Sequence, residues 1–219
     1  MIKYFYEDTG MYIDWEQLSK LPEIDTLIDI GVSDHGTKDL YNRFPNADLI
    51  LIDPLEESEK FFNEKLRHRN AIFFKTALGR KIDQKYLNIE KRIGRSTFLN
   101  VTDINSEGPF SGKRLVQLNK LDNLIKQKDL GKTGIKIDTE GYELEVILGG
   151  KETIKKCEFL IAEVRHNHES FEGVYKMHEF LEVMHSYDFQ LSMILTAKPF
   201  IADLCFEPIE RLMGKDLKY

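Results

Sequence analysis

The chain has 219 residues, of which 42% are hydrophobic and 31% are charged, and its formal net charge is −6. This length suffices for one α/β domain with a full hydrophobic core, and the acidic balance disfavours a nucleic-acid partner, which would select a basic surface. The two cysteines form no C-x-x-C pair, which argues against a zinc site or a disulfide framework. Because no stretch reaches the ~20 apolar residues of a membrane helix and the N-terminus lacks a long apolar core, we expect a cytoplasmic protein without membrane contact.

An N-terminal extension, residues 1–25, precedes the first clear βαβ pattern. Leu27–Ile30 predict a strand, Thr37–Phe44 a helix, and Leu49–Ile52 a second strand that stops at Asp53. A strand, a glycine turn, a helix and a second strand ending in an acid are typical of a nucleotide-binding unit. Asp53 lies at about the distance beyond the first strand, ~20 residues, expected of an acid that binds the ribose hydroxyls.

The turn between the first strand and its helix runs from Gly31 to Gly36 and lacks the third glycine of the G-x-G-x-x-G dinucleotide fingerprint. A pyrophosphate there would meet the negative charges of Asp29 and Asp34. S-adenosylmethionine has no phosphate and carries a sulfonium and an ammonium group, so the acidic turn favours this methyl donor over NAD. We expect the cofactor to contact Asp29, Gly31, Ser33 and Gly36 with its amino-acid end and Asp53 with its ribose. The alternative is an ordinary turn in which Asp29 caps the helix.

The remaining apolar runs complete an alternating series. A helix is predicted over Leu55–Leu66, followed by strands at Ala71–Thr76, Ile135–Asp138, Phe159–Val164, Gln190–Leu195 and Ile201–Phe206. The link between the last two strands is too short for a helical crossover, so we expect an antiparallel hairpin. The predicted fold is therefore α/β, a Rossmann-like seven-stranded, mostly parallel sheet with a C-terminal antiparallel hairpin and helices on both faces.

Residues 80–120 form an insertion between the third and fourth strands. Within it, Thr97–Val101 and Arg114–Leu118 predict a strand pair. Such an insertion commonly lies over the carboxyl ends of the strands, where ligands bind, although a plain surface excursion is the alternative. Ser96, beside Arg95, is a candidate contact to cofactor or acceptor.

Residues Gly134 to Gly150 read GIKIDTEGYELEVILGG. They resemble the signature of FkbM-type methyltransferases, a K-I-D-x-E-G strand end followed by an E-x-x-V-L-x-G helix, and Asp53-Pro54 and Ala77-Leu78-Gly79 extend the resemblance. Two features depart from the family pattern: the first turn is one residue longer than G-A-N-x-G, and Asp53 stands where many members have Glu. The resemblance implies a single class I methyltransferase domain over residues 1–219. It also implies methyl transfer from S-adenosylmethionine to an oxygen of a sugar or another small molecule.

The resemblance also suggests roles for the residues at the strand ends. Thr76, Ala77 and Leu78 would flank the adenine. Asp138 and Glu163 end the fourth and fifth strands, so either could orient the acceptor hydroxyl, and His166 or His168 could take its proton. Ser96 and Arg165 are predicted to bind substrate. Glu140 and Gly141 are interpreted as the start of a helix, where the helix dipole favours an acid. Asp138 is therefore preferred over Glu140 as the acid that acts on the acceptor.

Three alternatives remain open. Asp138, Glu163 and either His166 or His168 could hold Mg²⁺ or Mn²⁺, although no tight ligand spacing favours a metal. The chain could be an NAD-dependent oxidoreductase or epimerase, which the missing glycine and the absence of a Tyr-x-x-x-Lys pair disfavour. It could also be a non-catalytic nucleotide-binding domain. We expect a small-molecule or carbohydrate acceptor; the sequence does not indicate the oligomeric state.

Overall fold

The computed structural model describes residues 4–6, 11–13, 15–101, 110–126, 128–165, 171–197 and 200–214. The strands are β1 (Tyr4–Tyr6), β2 (Met11–Ile13), β3 (Thr26–Ile30), β4 (Asp48–Ile52), β5 (Ala71–Phe74), β6 (Ala77–Leu78), β7 (Asp83–Glu90), β8 (Asn100–Val101), β9 (Phe110–Asn119), β10 (Thr133–Ile137), β11 (Phe159–Arg165), β12 (Phe171–Glu172), β13 (Phe189–Ala197) and β14 (Ile201–Pro208). The helices are α1 (Trp15–Leu18), α2 (Lys38–Arg43), α3 (Glu56–Phe61), α4 (Leu121–Ile125), α5 (Glu143–Gly149), α6 (Lys151–Ile154), α7 (Met177–Ser186) and α8 (Ile209–Met213). A π-helical turn, Phe62–Leu66, continues α3, and a 3-10 turn occupies Ile93–Arg95.

Nine strands form one sheet in the order β1-β2-β13-β14-β11-β10-β3-β4-β5. The five strands from β11 to β5 are parallel, whereas β14 is antiparallel to both β11 and β13. The seven strands from β13 to β5 confirm the predicted Rossmann-like sheet with its C-terminal antiparallel hairpin. The N-terminal extension contributes β1 and β2, which add a further antiparallel pair beside β13.

Both faces of the sheet are covered, which explains why the central strands are nearly continuous apolar runs. Along β3, Ile28 and Ile30 belong to one buried cluster, which also contains α5 and α7 side chains. Leu27 points to the opposite face and belongs to a second cluster, with side chains of α2 and α3. This alternation follows from the pleat of a strand, and it confirms the prediction of helices on both faces. Within the described ranges, no helix is long and apolar enough to cross a membrane.

The insertion differs from the prediction in its strand pairing. Thr97–Val101 and Arg114–Leu118 do not pair; instead β9 pairs antiparallel with β7, and β8 pairs with β12. Sequence reasoning missed β7 because its first residues are polar and exposed, and only Leu87 and Ile89 give it an apolar face. The predicted third strand is also shorter, since β5 ends at Phe74 and β6 joins β9 and β7 in a separate sheet. The prediction of one domain over residues 1–219 stays a prediction.

Candidate active site

A cleft lies at the carboxyl ends of β3, β4 and β10, and the insertion covers it. Its inner cleft is bounded by the ends of β3 and β4, by residues 76–78 and by the residues just before α5. Its outer cleft extends from the first turn, residues 31–37, to residues 89–95 of the insertion. Gly31, Ser33, Gly94, Asp138 and Glu140 line both halves. The insertion therefore lies over the strand ends, as the first of the two interpretations predicted.

The first turn requires glycine at its start because two strand ends meet there. Gly31 has a φ of +85°, and a Cβ at this position would overlap the carbonyl oxygen of Asp138. The Asp138 amide also donates to the Ile30 carbonyl at 2.9 Å. Ser33, with a φ of +57°, adopts the same left-handed region without being glycine, which costs free energy and is typical of functional turns.

Asp53 is held by the backbone of two loops. Its Oδ2 accepts from the Ser33 amide at 3.0 Å, and its Oδ1 accepts from the Leu55 amide at 2.8 Å. The side chain lines the inner cleft although the residue is only 5% exposed, and burial raises the pKa of its carboxyl. Because a carboxylate oxygen can accept more than one hydrogen bond, both oxygens keep capacity for a ligand's hydroxyls.

Asp29 does not lie in the cleft, which corrects the prediction that it contacts the cofactor. It is fully buried on the α2 side of the sheet, where it accepts from the Tyr41 hydroxyl and from the Thr37 amide and hydroxyl, both at 3.3 Å. Burial raises the pKa of its carboxyl. Asp29 shares its strand face with Leu27, whereas Ile30 lines the inner cleft, so the alternative in which Asp29 stabilises the start of the helix is the one observed.

The floor of the inner cleft is apolar and comes from the segment after β5. Thr76, Ala77 and Leu78 line it, as predicted, and the Thr76 hydroxyl donates to the Gln117 carbonyl at 2.9 Å, which ties this segment to β9. Phe98 and Tyr142 close one side with ring centroids 4.8 Å apart. A flat aromatic or purine group fits a wall of this chemistry.

Three carboxyl groups converge at the boundary of the two halves. Asp138, Glu140 and Glu163 each place one carboxylate oxygen within 4.8 Å of the others. Burial, reinforced by the charge of Asp138, raises the pKa of Glu140 to about 7 and that of Glu163 to about 9. Asp138 and Glu140 line the cleft, whereas Glu163 lines neither half and lies behind them, which corrects its predicted contact with the acceptor.

Two cations offset these charges. The Lys136 ammonium lies 3.3 Å from Asp138 Oδ2 and 3.1 Å from Asp203 Oδ1; burial favours the neutral amine, but the surrounding carboxylates dominate and raise its pKa. Arg165 forms an ion pair with Glu140, and its guanidinium carbon lies 4.6 Å from the centre of the Phe171 ring. Although it was predicted to bind substrate, it does not line the cleft. Three carboxylates are a donor set that Mg²⁺ or Mn²⁺ accepts, but Lys136 and Arg165 already neutralise two of them, and we assign no metal here.

The loop that carries Glu140 is fixed from below by Glu143. The buried Glu143 carboxylate accepts from the amides of Thr139 and Gly141 at 2.9 and 3.0 Å and from the Tyr175 hydroxyl at 2.9 Å. This network holds Glu140 in a left-handed conformation, φ +53°, with its side chain toward the cleft. The second glutamate of the D-T-E-G-Y-E run, Glu143, thus anchors the loop, and the first, Glu140, lines the cleft.

Comparison with known proteins agrees with this geometry. The methyltransferase FkbM domain family matches residues 29–191. The chain belongs to this family. No curated protein matches the sequence.

Solved structures share the FkbM-domain fold at low identity. The methyltransferase FkbM from Methylobacillus flagellatus KT is 12% identical, with a TM-score of 0.52 over 88% of this chain and 50% of its own. An O-methyltransferase family protein from Burkholderia thailandensis is 9% identical, with a TM-score of 0.52 over 89% of this chain and 55% of its own. A protein of the NADB-Rossmann superfamily from Streptococcus agalactiae is 10% identical, with a TM-score of 0.50 over 89% of this chain and 67% of its own. At these identities the likeness establishes the fold alone, and this chain spans about half the length of the first two proteins.

Most of the predicted site residues meet in the cleft of this FkbM-family chain. These are Gly31, Ser33, Gly36, Asp53, Thr76, Ala77, Leu78, Ser96 and Asp138. Asp29, Glu163 and Arg165 lie outside it, and His166 and His168 fall outside the described residues. Glu140 also lines the cleft, although the sequence analysis set it aside because a glutamate before Gly141 is equally typical of a helix start.

Proposed function

We propose that this chain transfers the methyl group of S-adenosylmethionine to a hydroxyl oxygen of a small-molecule or carbohydrate acceptor. The observation that carries the proposal is the juxtaposition, in one cleft, of the buried Asp53 carboxylate and the Asp138–Glu140 pair across the Gly31 turn. Membership of the FkbM family supports methyl transfer. Oxygen as the acceptor atom is supported by the carboxylates beside the outer cleft, which can accept a hydroxyl proton.

The inner cleft suits the methyl donor. Asp53 accepts hydrogen bonds from the ribose hydroxyls, and the apolar segment at Ala77 and Leu78 packs against the adenine. The amino-acid end of the donor lies along the Gly31–Ser33 turn. In this arrangement the sulfonium would lie beside the carboxyl oxygens of Asp138 and Glu140.

Methyl transfer in this geometry is a direct displacement. An acceptor hydroxyl in the outer cleft lies in line with the carbon–sulfur bond at a near-attack distance of ~3–3.5 Å. Its oxygen lone pair forms the new oxygen–carbon bond while the carbon–sulfur bond breaks, and that electron pair stays on sulfur as the neutral thioether of S-adenosylhomocysteine. Glu140 accepts the hydrogen bond of the reacting hydroxyl and takes its proton, and Asp138 orients the acceptor by accepting a hydrogen bond from a neighbouring hydroxyl of the same molecule. With a pKa of about 7, Glu140 is well matched to this role at neutral pH.

Calorimetry with S-adenosylhomocysteine and with NAD tests donor recognition first. We expect S-adenosylhomocysteine to bind and NAD to give no heat; the reverse result overturns the proposal in favour of the oxidoreductase alternative. Isotope-labelled S-adenosylmethionine with a panel of sugar nucleotides, glycans and polyketide alcohols then tests turnover by mass spectrometry. Binding without label transfer across the whole panel supports the non-catalytic alternative.

A further inference from the structure

The outer cleft is lined by four cationic side chains, and two arginines among them make no ion pair with a described residue. Lys91, Arg92, Arg95 and Arg114 line it. Arg114 is the paired member: its two terminal nitrogens donate to the Glu57 carboxylate at 2.7 and 2.8 Å. Within the described part of the chain, Arg92 and Arg95 make no ion pair or hydrogen bond through their guanidinium groups, and both are exposed to the cleft's solvent.

The acids of the outer cleft do not offset these two arginines. Asp34 binds the Ser33 hydroxyl at 3.1 Å and His35 at 3.0 Å, and Glu140 is paired with Arg165. Asp138 is paired with Lys136, and Glu57 with Arg114. Among the described lining residues, Glu90 is the carboxylate left to face Lys91, Arg92 and Arg95. Among the described residues, Arg92 and Arg95 are therefore arginines of the outer cleft that no carboxylate holds in an ion pair.

The position of the arginines relative to the reacting groups is set by Gly94. The 3-10 turn Ile93–Arg95 packs on the first turn so closely that a Cβ at Gly94 would lie 2.6 Å from Ser33 Oγ. Both Arg95 and Glu140 line the outer cleft; burial raises the pKa of Glu140, and the positive charge of Arg95 partly opposes that rise. A ligand group bound by Arg92 and Arg95 thus lies beside the boundary where Asp138 and Glu140 meet the acceptor.

Arg92 and Arg95 line the outer cleft but not the inner cleft, which holds Asp53 and the apolar adenine wall. We propose that they bind an anionic group of the acceptor, a phosphate or a carboxylate, so that the acceptor is an acidic hydroxyl compound such as a sugar phosphate or a uronic acid. Arginine suits this role because its planar fork donates two parallel hydrogen bonds to an oxyanion. This inference rests on the proposed methyl transfer and narrows its substrate class.

Calorimetry of the protein saturated with S-adenosylhomocysteine tests the inference with three probes of similar size: glucose 1-phosphate, glucuronate and methyl glucoside. We expect binding of at least one anionic probe and at least about tenfold weaker binding of the neutral glycoside, since two charge-assisted contacts are lost. The phosphate and the carboxylate arms show which oxyanion the site takes. The double variant Arg92→Ala with Arg95→Ala should weaken the anionic probe at least about tenfold, and Arg92→Lys with Arg95→Lys should restore part of the affinity.

The matched control removes two cations outside the cleft, Lys65→Ala with Arg67→Ala, and should leave binding of the anionic probe unchanged. Equal binding of the three probes, or binding of none, overturns the inference while S-adenosylhomocysteine binding still supports the methyl-donor site. A loss of S-adenosylhomocysteine affinity in the Arg92/Arg95 variant overturns it differently, since the arginines would then hold the cofactor's own carboxylate. Failure of the wild type to bind S-adenosylhomocysteine contradicts the proposed function itself.

Discussion

The inner and outer clefts differ in whether backbone or side-chain contacts fix their geometry. In the inner cleft, Asp53 is satisfied by the Ser33 and Leu55 amides, and Gly31 admits the Asp138 carbonyl, so backbone fixes the geometry. In the outer cleft, side chains of the insertion define much of the surface, and some of them are held by other side chains, as Arg114 is by Glu57. Backbone partners follow from the fold and tolerate little change, whereas side chains can be exchanged without rebuilding the sheet. The difference suits a constant donor and a variable acceptor.

The acids of the two clefts differ in the same way, since some are held by backbone amides and others by charged side chains. Asp53 is stabilised by two amide dipoles, while Asp138 and Glu140 depend on the full charges of Lys136 and Arg165. Removing one amide partner of Asp53 costs the energy of a single hydrogen bond, which is modest. Removing a buried cation leaves an uncompensated carboxylate, which costs far more.

The largest expected effect comes from Gly31→Ala. Its Cβ would overlap the Asp138 carbonyl at a positive φ, so we expect the free energy of unfolding to fall by about 3 kcal/mol or more. Urea unfolding measures this loss, and S-adenosylhomocysteine binding should disappear with it. Gly112→Ala is the control, because a Cβ there meets open space, and a change within about 0.5 kcal/mol is expected. Similar losses for both variants would remove the special role of the first turn.

Lys136→Met tests how strongly the acids depend on buried cations. The variant leaves Asp138 and Asp203 without their shared ammonium, and we expect a loss of about 3–5 kcal/mol of unfolding free energy. Adding Asp203→Asn to the Lys136→Met variant should recover part of that loss, since it removes one of the stranded charges. Strictly additive effects in this double-mutant cycle would contradict the ion-pair interpretation.

Glu140→Gln separates chemistry from donor binding. We expect kcat to fall about 10²–10⁴-fold, because the proton acceptor is lost, with little change in S-adenosylhomocysteine affinity. In the wild type, kcat should rise with pH through about 7 as Glu140 loses its proton and level off above, and the variant should lack this rise. Glu145→Gln, which removes a half-buried carboxylate that is paired with Arg80 outside the cleft, should leave kcat unchanged. A wild-type rate that does not depend on pH between 5 and 8 would exclude Glu140 as the base.

Asp53→Asn tests the inner cleft. The amide keeps the shape but offers one acceptor oxygen instead of two, so we expect S-adenosylhomocysteine to bind more weakly by about 1–2 kcal/mol. Asp48→Asn, at the exposed start of the same strand, is the control and should bind as the wild type does. Unchanged affinity in Asp53→Asn would remove this residue from the donor site.

The last prediction concerns the pH dependence of stability that Glu163 contributes. Its pKa is raised to about 9 in the folded protein from an ordinary value of 4.5, so the folded state holds a proton that the unfolded state has released. The free energy of unfolding should therefore fall as pH rises from about 5 to 9, by about 1.4 kcal/mol per pH unit at most. Glu163→Gln should flatten this dependence, whereas Glu182→Gln, an exposed carboxylate on α7, should not. Urea unfolding at pH 6 and pH 8.5 compares the three proteins.

Much of the fold followed from local pattern. Apolar runs, the glycine turn and the short link before β14 are signals carried by neighbouring residues, and they specified the parallel sheet and its closing hairpin. The pairing of β7 with β9 did not follow, because β7 begins with exposed polar residues and its partner residues lie 20 to 35 positions further along the chain.

The sequence by itself determined the order of the main sheet strands along the chain. It also determined the acids that follow two of them, since Asp53 and Asp138 each come directly after an apolar run. Only the tertiary structure decided that Glu140 faces the cleft, that Asp29 faces α2, and that Arg92 and Arg95 lie beside the first turn. The position of Asp29 depends on the pleat of β3, and that of Glu140 on the left-handed conformation that Glu143 stabilises. The position of Arg92 and Arg95 depends on how the insertion packs against the first turn. Such determinants join residues far apart in the chain, so no local pattern encodes them.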